Sequence, residues 1–439
     1  MAYWKVDVFE KIANEGLRQK IESSIFRCPL QYSAAHPKSF SPAALTVGPY
    51  ASKDAREYEQ LNKYKVKVAT AVLKGKNLEL KAGLETLVKV IVGSGQELAH
   101  YASPFDQDMS DVQRILAIDS LFVSGLLLTC LSWFSTGSFP ESVSSQPSVM
   151  QIINNFPGFE VKEDPVLLVQ NVVFFPDLFL LGNQVPLSFL KRALMFVVGD
   201  QLTEDLAGDL LIRMTTYAIE VVSFFKYPQD LLKEIVDLIK SRMSLCPHLL
   251  DFFYKVTTCC MYLNDTEDRA SLDFHVPSIS ELLASGIQLI PREGPAIYAR
   301  YYSDLSRIVL PTIEITKHTE HLVRNLLAYE VLTVSKPVLT TYARLMDKLV
   351  NSPDDVRIME KNGVITGDEV GDQKRKGERK GEERKAKPWE KPKETSLLMR
   401  TVADMESFVS IPHALAASGW NSPDLYHRTA YTVAGFYQV

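Results

Sequence analysis

The twenty residues from Ile115 to Phe134, ILAIDSLFVSGLLLTCLSWF, narrow the structural choices for this chain more than any other feature. A run that long without a polar face has two stable destinations, the hydrocarbon of a bilayer or the centre of a large helical core. Asp119 and three serines lie inside it, and no paired basic flank follows it. A carboxylate in hydrocarbon costs on the order of 2–3 kcal/mol even on lenient insertion scales. The run is therefore read as a buried helix, with a membrane span as the alternative. A second apolar run, Val166 to Leu181, is broken by Pro176 and Asp177 and is a poorer span.

Burying such a helix requires much apolar material around it. The 439 residues supply it, at 46% hydrophobic and 10% aromatic. The formal net charge of −5 provides no basic field for a polyanion, so no nucleic-acid partner is expected. Cys28, Cys130, Cys246, Cys259 and Cys260 are odd in number and scattered, with no C-x-x-C pair. That spacing suits neither a disulfide framework nor a zinc site, and the thiols are read as free and buried in a reducing compartment. Lys5, Asp7, Glu10, Lys11 and Glu15 interrupt the first twenty residues. A secretory signal peptide is not expected there, and folding in the cytosol is the default.

Along the chain, Val8, Ile12, Leu17 and Ile21 predict an amphipathic helix over residues 1–25 that packs on the domain. Phe26 to Tyr50, with Pro29, Pro37, Pro42, Gly48 and Pro49, predicts an extended, turn-rich stretch without regular helix. Charged amphipathic helices are expected from Asp54 to about Tyr101, then the apolar helix from Asp111 to Phe134, then a loop from Ser135 to Pro165. Helical periodicity returns over Pro186–Val198, Asp205–Phe225, Pro228–Tyr254, Thr319–Glu330 and Lys336–Val350. Between Ile279 and Leu310, short apolar runs with Gly and Pro predict a few strands beside helix. The texture changes near residue 370. Asp372 to Glu394 holds ten Lys/Arg against six Asp/Glu and almost nothing apolar. Such a segment cannot offset chain entropy by burial. The expected fold is mainly α (α+β with a few short strands). One large helical domain fills 26–370, a charged disordered linker 371–395, and a short, poorly ordered tail 396–439.

Signatures of catalysis are missing. There is no G-x-x-x-x-G-K-[ST] loop, no H-E-x-x-H pair and no G-x-S-x-G elbow. Val92-Gly93-Ser94-Gly95 lacks the third glycine of a dinucleotide fingerprint and is read as a helix end. His318 and His321, with Glu314 and Glu320 nearby, have a spacing that suits a metal, but capping is the preferred reading. Asp119 and Asp177, lone carboxylates in apolar runs, are either perturbed acids or buried acceptors that fix a turn. No catalytic residue, metal or cofactor is assigned.

A set of short phrases, taken in order, resembles the plant domain-of-unknown-function family 247. Cys28-Pro29, Ser41-Pro42 and Leu45-Thr46-Val47-Gly48-Pro49-Tyr50 resemble its opening. Ile118-Asp119-Ser120-Leu121-Phe122-Val123 is similar to its "L-D-G-C-F-I" helix. The stretch from Asp177 through Gly182-Asn183-Gln184-Val185-Pro186 resembles its "D-L-L-L-L-E-N-Q-L-P" signature, and Leu249-Leu250-Asp251 its "H-L-L-D" step. Further on, Glu281 and Gly286 fall in a phrase like "S-A-T-E-L-x-x-A-G-V". Thr319-Glu320 and Arg324-Asn325 through Glu330 resemble "T-E…R-N-L-I-A-F-E". Met346-Asp347, Asp355-Val356 and Gly363-Val364-Ile365 close the series, which spans residues 28–366. Gly182 stands where the family has an acid, and Ala51 where it has a histidine after Gly-Pro-Tyr. The charged run also stands where members usually carry a membrane-spanning helix.

The resemblance implies a plant protein without established enzymatic activity, from a family that is typically membrane-anchored and includes grass members implicated in self-incompatibility. The expectation is a non-enzymatic interaction or recognition protein with a protein partner, cytoplasmic or peripheral to a membrane. The alternative is an enzyme with a pocket near Asp119, Asp177, Asn183 and Glu281. Taken with their neighbours, Asn183-Gln184 suits a buried amide pair at a helix entrance, and Gly48-Pro49 a tight turn.

Overall fold

The computed structural model describes residues 23–50, 58–102, 104–134, 175–240, 246–259, 276–303, 305–333 and 338–367. The expected helix over 1–25 lies outside them except for its last three residues. The loop Ser135–Pro165, the charged run and the tail lie outside them entirely.

Two short helices open the described chain, α1 (Leu30–Ala35) and α2 (Pro37–Phe40). They correct the expectation that Phe26–Tyr50 holds no regular helix. Pro29 caps α1 and Pro37 occupies the first turn of α2. There the missing N–H is one the helix could not have used, and the fixed φ is already helical. Then come α3 (Glu59–Gly75), α4 (Leu80–Ile91) and α5 (Met109–Phe134). The Val92–Gly95 cluster ends α4, with Gly93 at φ 60° and Gly95 at φ 74°.

Helix α5 is the apolar run, and it is central. It packs against α3 and α4, and against α6 (Leu187–Val198) and α7 (Glu204–Val222). From Leu116 to Leu128 nearly every side chain is buried. A helix enclosed on all sides has no reason to keep a polar face. Among the described residues no helix is long and apolar enough to cross a membrane.

The expected helix over Pro228–Tyr254 is two, α8 (Gln229–Lys240) and α9 (Leu249–Thr258). The chain is extended at His248, which bridges antiparallel to Pro186, while the Pro247 carbonyl accepts the Leu187 N–H at 2.8 Å. Pro247 has no N–H to continue a helix and disfavours helical backbone before it.

The remainder is α10 (Ile279–Ala284), β1 (Gln288–Arg292), β2 (Arg300–Tyr302), β3 (Arg307–Pro311), β4 (Ile313–Glu314), α11 (Thr319–Thr333), α12 (Val338–Leu349), α13 (Pro353–Lys361) and β5 (Ile365–Thr366). The strands form a three-stranded sheet ordered β1-β3-β2, with β1 parallel and β2 antiparallel to β3, and a parallel β4–β5 pair. Helix α13 has a clear local cause. Ser352-Pro353-Asp354-Asp355 forms a capping box with proline in the first turn. The fold is mainly α with a few short strands, and one continuous apolar cluster runs from Ile25 to Ile365.

Candidate functional site

The polar groups that a sequence reader would suspect of chemistry converge on one stretch of backbone, residues 43–48. This strap crosses the body with no sheet or helix to satisfy its N–H groups, and a buried N–H must find a partner. Side chains provide them. Asp177 accepts from the N–H groups of Ala43 (2.9 Å), Ala44 (2.7 Å) and Leu45 (2.7 Å). Asn183 accepts from Val47 and donates to the carbonyls of Leu45 (2.8 Å) and Asp177 (2.7 Å). Asp119, one turn into the buried part of α5, accepts from Gly48 at 2.8 Å.

The other oxygen of Asp119 meets the Lys65 ammonium of α3 at 2.6 Å, and Lys65 also donates to the Thr46 carbonyl. Both side chains are almost wholly buried, at 4% and 7% exposure, so each charge depends on the other. Lys65 escaped the sequence reading. Its signal was present: it sits on the apolar stripe Leu61, Val68, Val72 of an otherwise lysine-studded helix.

Gly48 turns the strap at φ 76°, and a Cβ there would collide with the Gln184 carbonyl oxygen. Glycine is therefore required twice over, by conformation and by space. Pro49 is buried beside it, and Tyr50 packs edge-on against Tyr101 with the Arg27 guanidinium 4.8 Å above its ring. Tyr101 donates to the Gln184 carbonyl at 3.0 Å. Gln184 donates to the carbonyls of Leu178 (2.7 Å) and Leu180 (2.8 Å) and accepts the Leu250 N–H at 3.1 Å. Asn325 extends the seam from α11. It accepts from Leu181 at 2.8 Å and donates to the Ser39 carbonyl of α2 at 2.7 Å. Pro186 stands at the head of α6, and Phe122 packs edge-on against Tyr64.

A second buried set lies between α9, α11 and α12. Glu330, fully buried, accepts from the Tyr254 hydroxyl (2.6 Å) and from the N–H groups of Leu339 and Thr340 (2.7 Å each), so it caps α12. Asp251 accepts from the Tyr329 hydroxyl (2.7 Å) and the Lys255 ammonium (2.6 Å). His248 caps α9. Its Nδ1 accepts the Asp251 N–H at 3.3 Å, so Nε2 carries the proton that it donates to the Ser24 carbonyl at 2.9 Å. Only the neutral imidazole can make both bonds.

The remaining suspected residues lie apart. Glu281 closes the capping box of α10 with Ser278, and Gly286 turns the chain after that helix at φ 89°. Thr319 accepts from Thr316 at 2.9 Å at the start of α11, and Glu320 pairs with the buried Arg324 at 3.0 Å. Asp347 is partly exposed on α12. Of the four residues of the suspected pocket, Asp119, Asp177 and Asn183 meet at the strap, and Glu281 does not join them. His318 and His321 lie at the head of α11, and no group of three metal-ligating side chains exists among the described residues.

Burial sets the electrostatics. It raises the Asp177 carboxyl above its ordinary range despite the bonds from Ala43, Leu45 and Ala44, and raises Glu330 likewise. Burial lowers His248 to about 4, against an opposing pull from Asp251. It pushes the Cys28 and Cys246 thiols up to about 12, the inert end of thiol behaviour. Asp355 goes the other way. Burial pushes it up, but hydrogen bonds from Ser280 and Ser352 outweigh that and hold it below the usual carboxylate range.

A family model described as a plant protein of unknown function, DUF247, matches residues 25–376. This chain belongs to the DUF247 family. The matched span includes the strap, its three side-chain anchors and every described helix. A putative UPF0481 protein of Arabidopsis thaliana is 21% identical over 464 residues, covering 84% of this chain and 80% of that protein. No solved structure matches the DUF247 chain.

Proposed function

We propose that this DUF247 chain is a non-enzymatic plant interaction protein that works by recognising another protein through its exterior. The observation that supports this most is the state of its buried acids. Asp119, Asp177, Asp251 and Glu330 each spend their oxygens on N–H, O–H or ammonium donors of the same chain. An acid so engaged organises backbone; a general acid or base needs an oxygen within reach of a substrate proton. The enzyme alternative at Asp119, Asp177, Asn183 and Glu281 draws less support, since Glu281 is in a capping box with Ser278.

The test is affinity purification of the full chain, crosslinked in plant tissue and quantified against an unrelated bait. A reproducible, saturable protein partner is expected. Stable bait that enriches no protein, together with turnover of a metabolite by the purified chain, would reverse the reading in favour of the enzyme.

A further inference from the structure

We propose that the solvent-facing side of the β1–β3–β2 sheet docks an extended acidic peptide, with one carboxylate on Arg292 and a second on Arg307. This rests on the interaction reading above and names the surface and the partner chemistry for it.

The register determines which side chains share that face. Leu289 pairs with Ile308 and Pro291 with Leu310, and Leu289, Ile308 and Leu310 are buried. Side chains alternate along a strand, so Ile290, Arg292, Arg307 and Val309 point the other way, as does Arg300, paired with Val309. Arg292, Arg300 and Arg307 are exposed, and Ile290 is 37% exposed between them. An arginine-flanked apolar strip in a chain of net charge −5 is a local reversal of sign.

Two of these guanidinium groups are held ready. The Arg307 Nε donates to Gln288 Oε1 at 3.1 Å, and the Arg292 guanidinium lies 4.0 Å from the centre of the Tyr298 ring. Among the described residues neither has a carboxylate partner. A tethered fork loses less freedom when it grips an anion, and a carboxylate suits its bidentate geometry.

The spacing selects the ligand. Arg307 pairs with Gln288, so Arg292 lies four residues further along the neighbouring strand. Four residues of strand span about 13 Å. An extended peptide with acids at positions i and i+4 matches that span and sets residue i+2 over Ile290 and Val309. Docking on the face also fits the edge. The Gln288 N–H donates to the Ser306 carbonyl of the β3 side, and the Arg292 carbonyl accepts from Thr312. Pro291, between them, therefore turns its nitrogen to the free edge, where it offers no N–H to an added strand. The overall negative charge opposes a broad anionic bilayer, so a discrete peptide is favoured.

The experiment is fluorescence anisotropy with the full chain and labelled serine-based heptapeptides. One carries glutamates at i and i+4 with valine at i+2, one has the same composition with adjacent glutamates, and one has lysines for glutamates. Phosphatidylserine vesicles form a separate arm. The spaced peptide is expected to bind roughly tenfold tighter than its adjacent-acid isomer, and the lysine peptide not at all. Arg292→Gln with Arg307→Gln is expected to remove at least about tenfold of that affinity. Arg357→Gln, at an exposed arginine paired with Asp354, is expected to bind as the parent does. If the double variant melts early, Ile290→Asp, which sets a carboxylate between the arginines, replaces it with the same expected loss. No binding of the spaced peptide, equal binding by the double variant, or binding of vesicles alone overturns the proposal. A partner recovered from tissue that binds the double variant undiminished also overturns it, yet leaves the interaction reading standing.

Discussion

At the strap, five backbone N–H groups end on buried side chains, those of Ala43, Ala44, Leu45, Val47 and Gly48. Across β1–β3–β2, three arginines stand in solvent, and two of them have no anion within the described chain. The two regions use the same class of group to different ends. In the first, desolvation is already complete, and every donor and acceptor must be matched or the fold suffers. In the second, the charged groups reach solvent, so losing them costs little stability and their value is available to a partner. A polar residue that the fold needs and one that it can spare are therefore told apart by the cost of removing them.

Asp119→Ala strikes the first region hardest. It strands the Lys65 ammonium, whose side chain is 4% exposed, and releases the Gly48 N–H. A loss of about 3–5 kcal/mol is expected in urea unfolding, the usual result of breaking one side of a buried pair. A loss under about 1 kcal/mol would show that the strap pair behaves like an exposed one, for which such small losses are typical.

His248 gives the next largest effect, through pH. Its folded pKa of about 4 lies below the ordinary 6.5, so the unfolded chain takes up the proton first. Stability is therefore whole above about 6.5 and falls as pH drops toward 4, by about 3 kcal/mol in all. The raised carboxyls of Asp177 and Glu330 act with the opposite sign, since the folded chain then binds the proton more readily. The His248 part is thus read as the difference between the parent and His248→Asn. Asparagine retains an N-cap oxygen for the Asp251 N–H and does not titrate. Identical pH dependence of the two proteins would remove His248 from the account.

Asp355→Ala should cost less, about 1–2 kcal/mol, by opening the α13 capping box and releasing Ser280. Its lowered pKa places that stability above the unfolded carboxyl value and removes it as pH falls through the folded one. The deficit of the variant should therefore shrink only in strong acid, below the His248 window, as measured by thermal melts across pH. The smallest change belongs to the sheet. Arg292→Gln with Arg307→Gln should cost about 1 kcal/mol or less, since both groups are exposed and give up only the Tyr298 ring contact and the Gln288 hydrogen bond. A larger loss in calorimetry would mean that the sheet face is structural and would erase the contrast.

The residues in this comparison were unequally legible. Asp119, Asp177 and Asn183 stood out as polar residues in apolar runs and as motif positions. Lys65 and His248 did not, though one occupies an apolar stripe and the other follows a proline just ahead of α9. The α13 capping box was readable from Ser352 and Asp355 and was passed over. The two helices of Phe26–Tyr50 were hidden by their prolines, which stop a helix in its middle but start one at its head.

From the sequence came the mainly helical character, the preference for a buried helix over a membrane span at residues 115–134, and the resemblance to the DUF247 proteins. All three follow from patterns contained in short windows, the 3.6-residue period and the order of brief phrases. What each polar residue is for emerges from the folded arrangement. Lys65 finds Asp119 54 positions away, and Asp177 finds Ala43 134 positions away. Such pairings depend on where the chain returns in space, and desolvation, which makes them matter, exists only once it has returned.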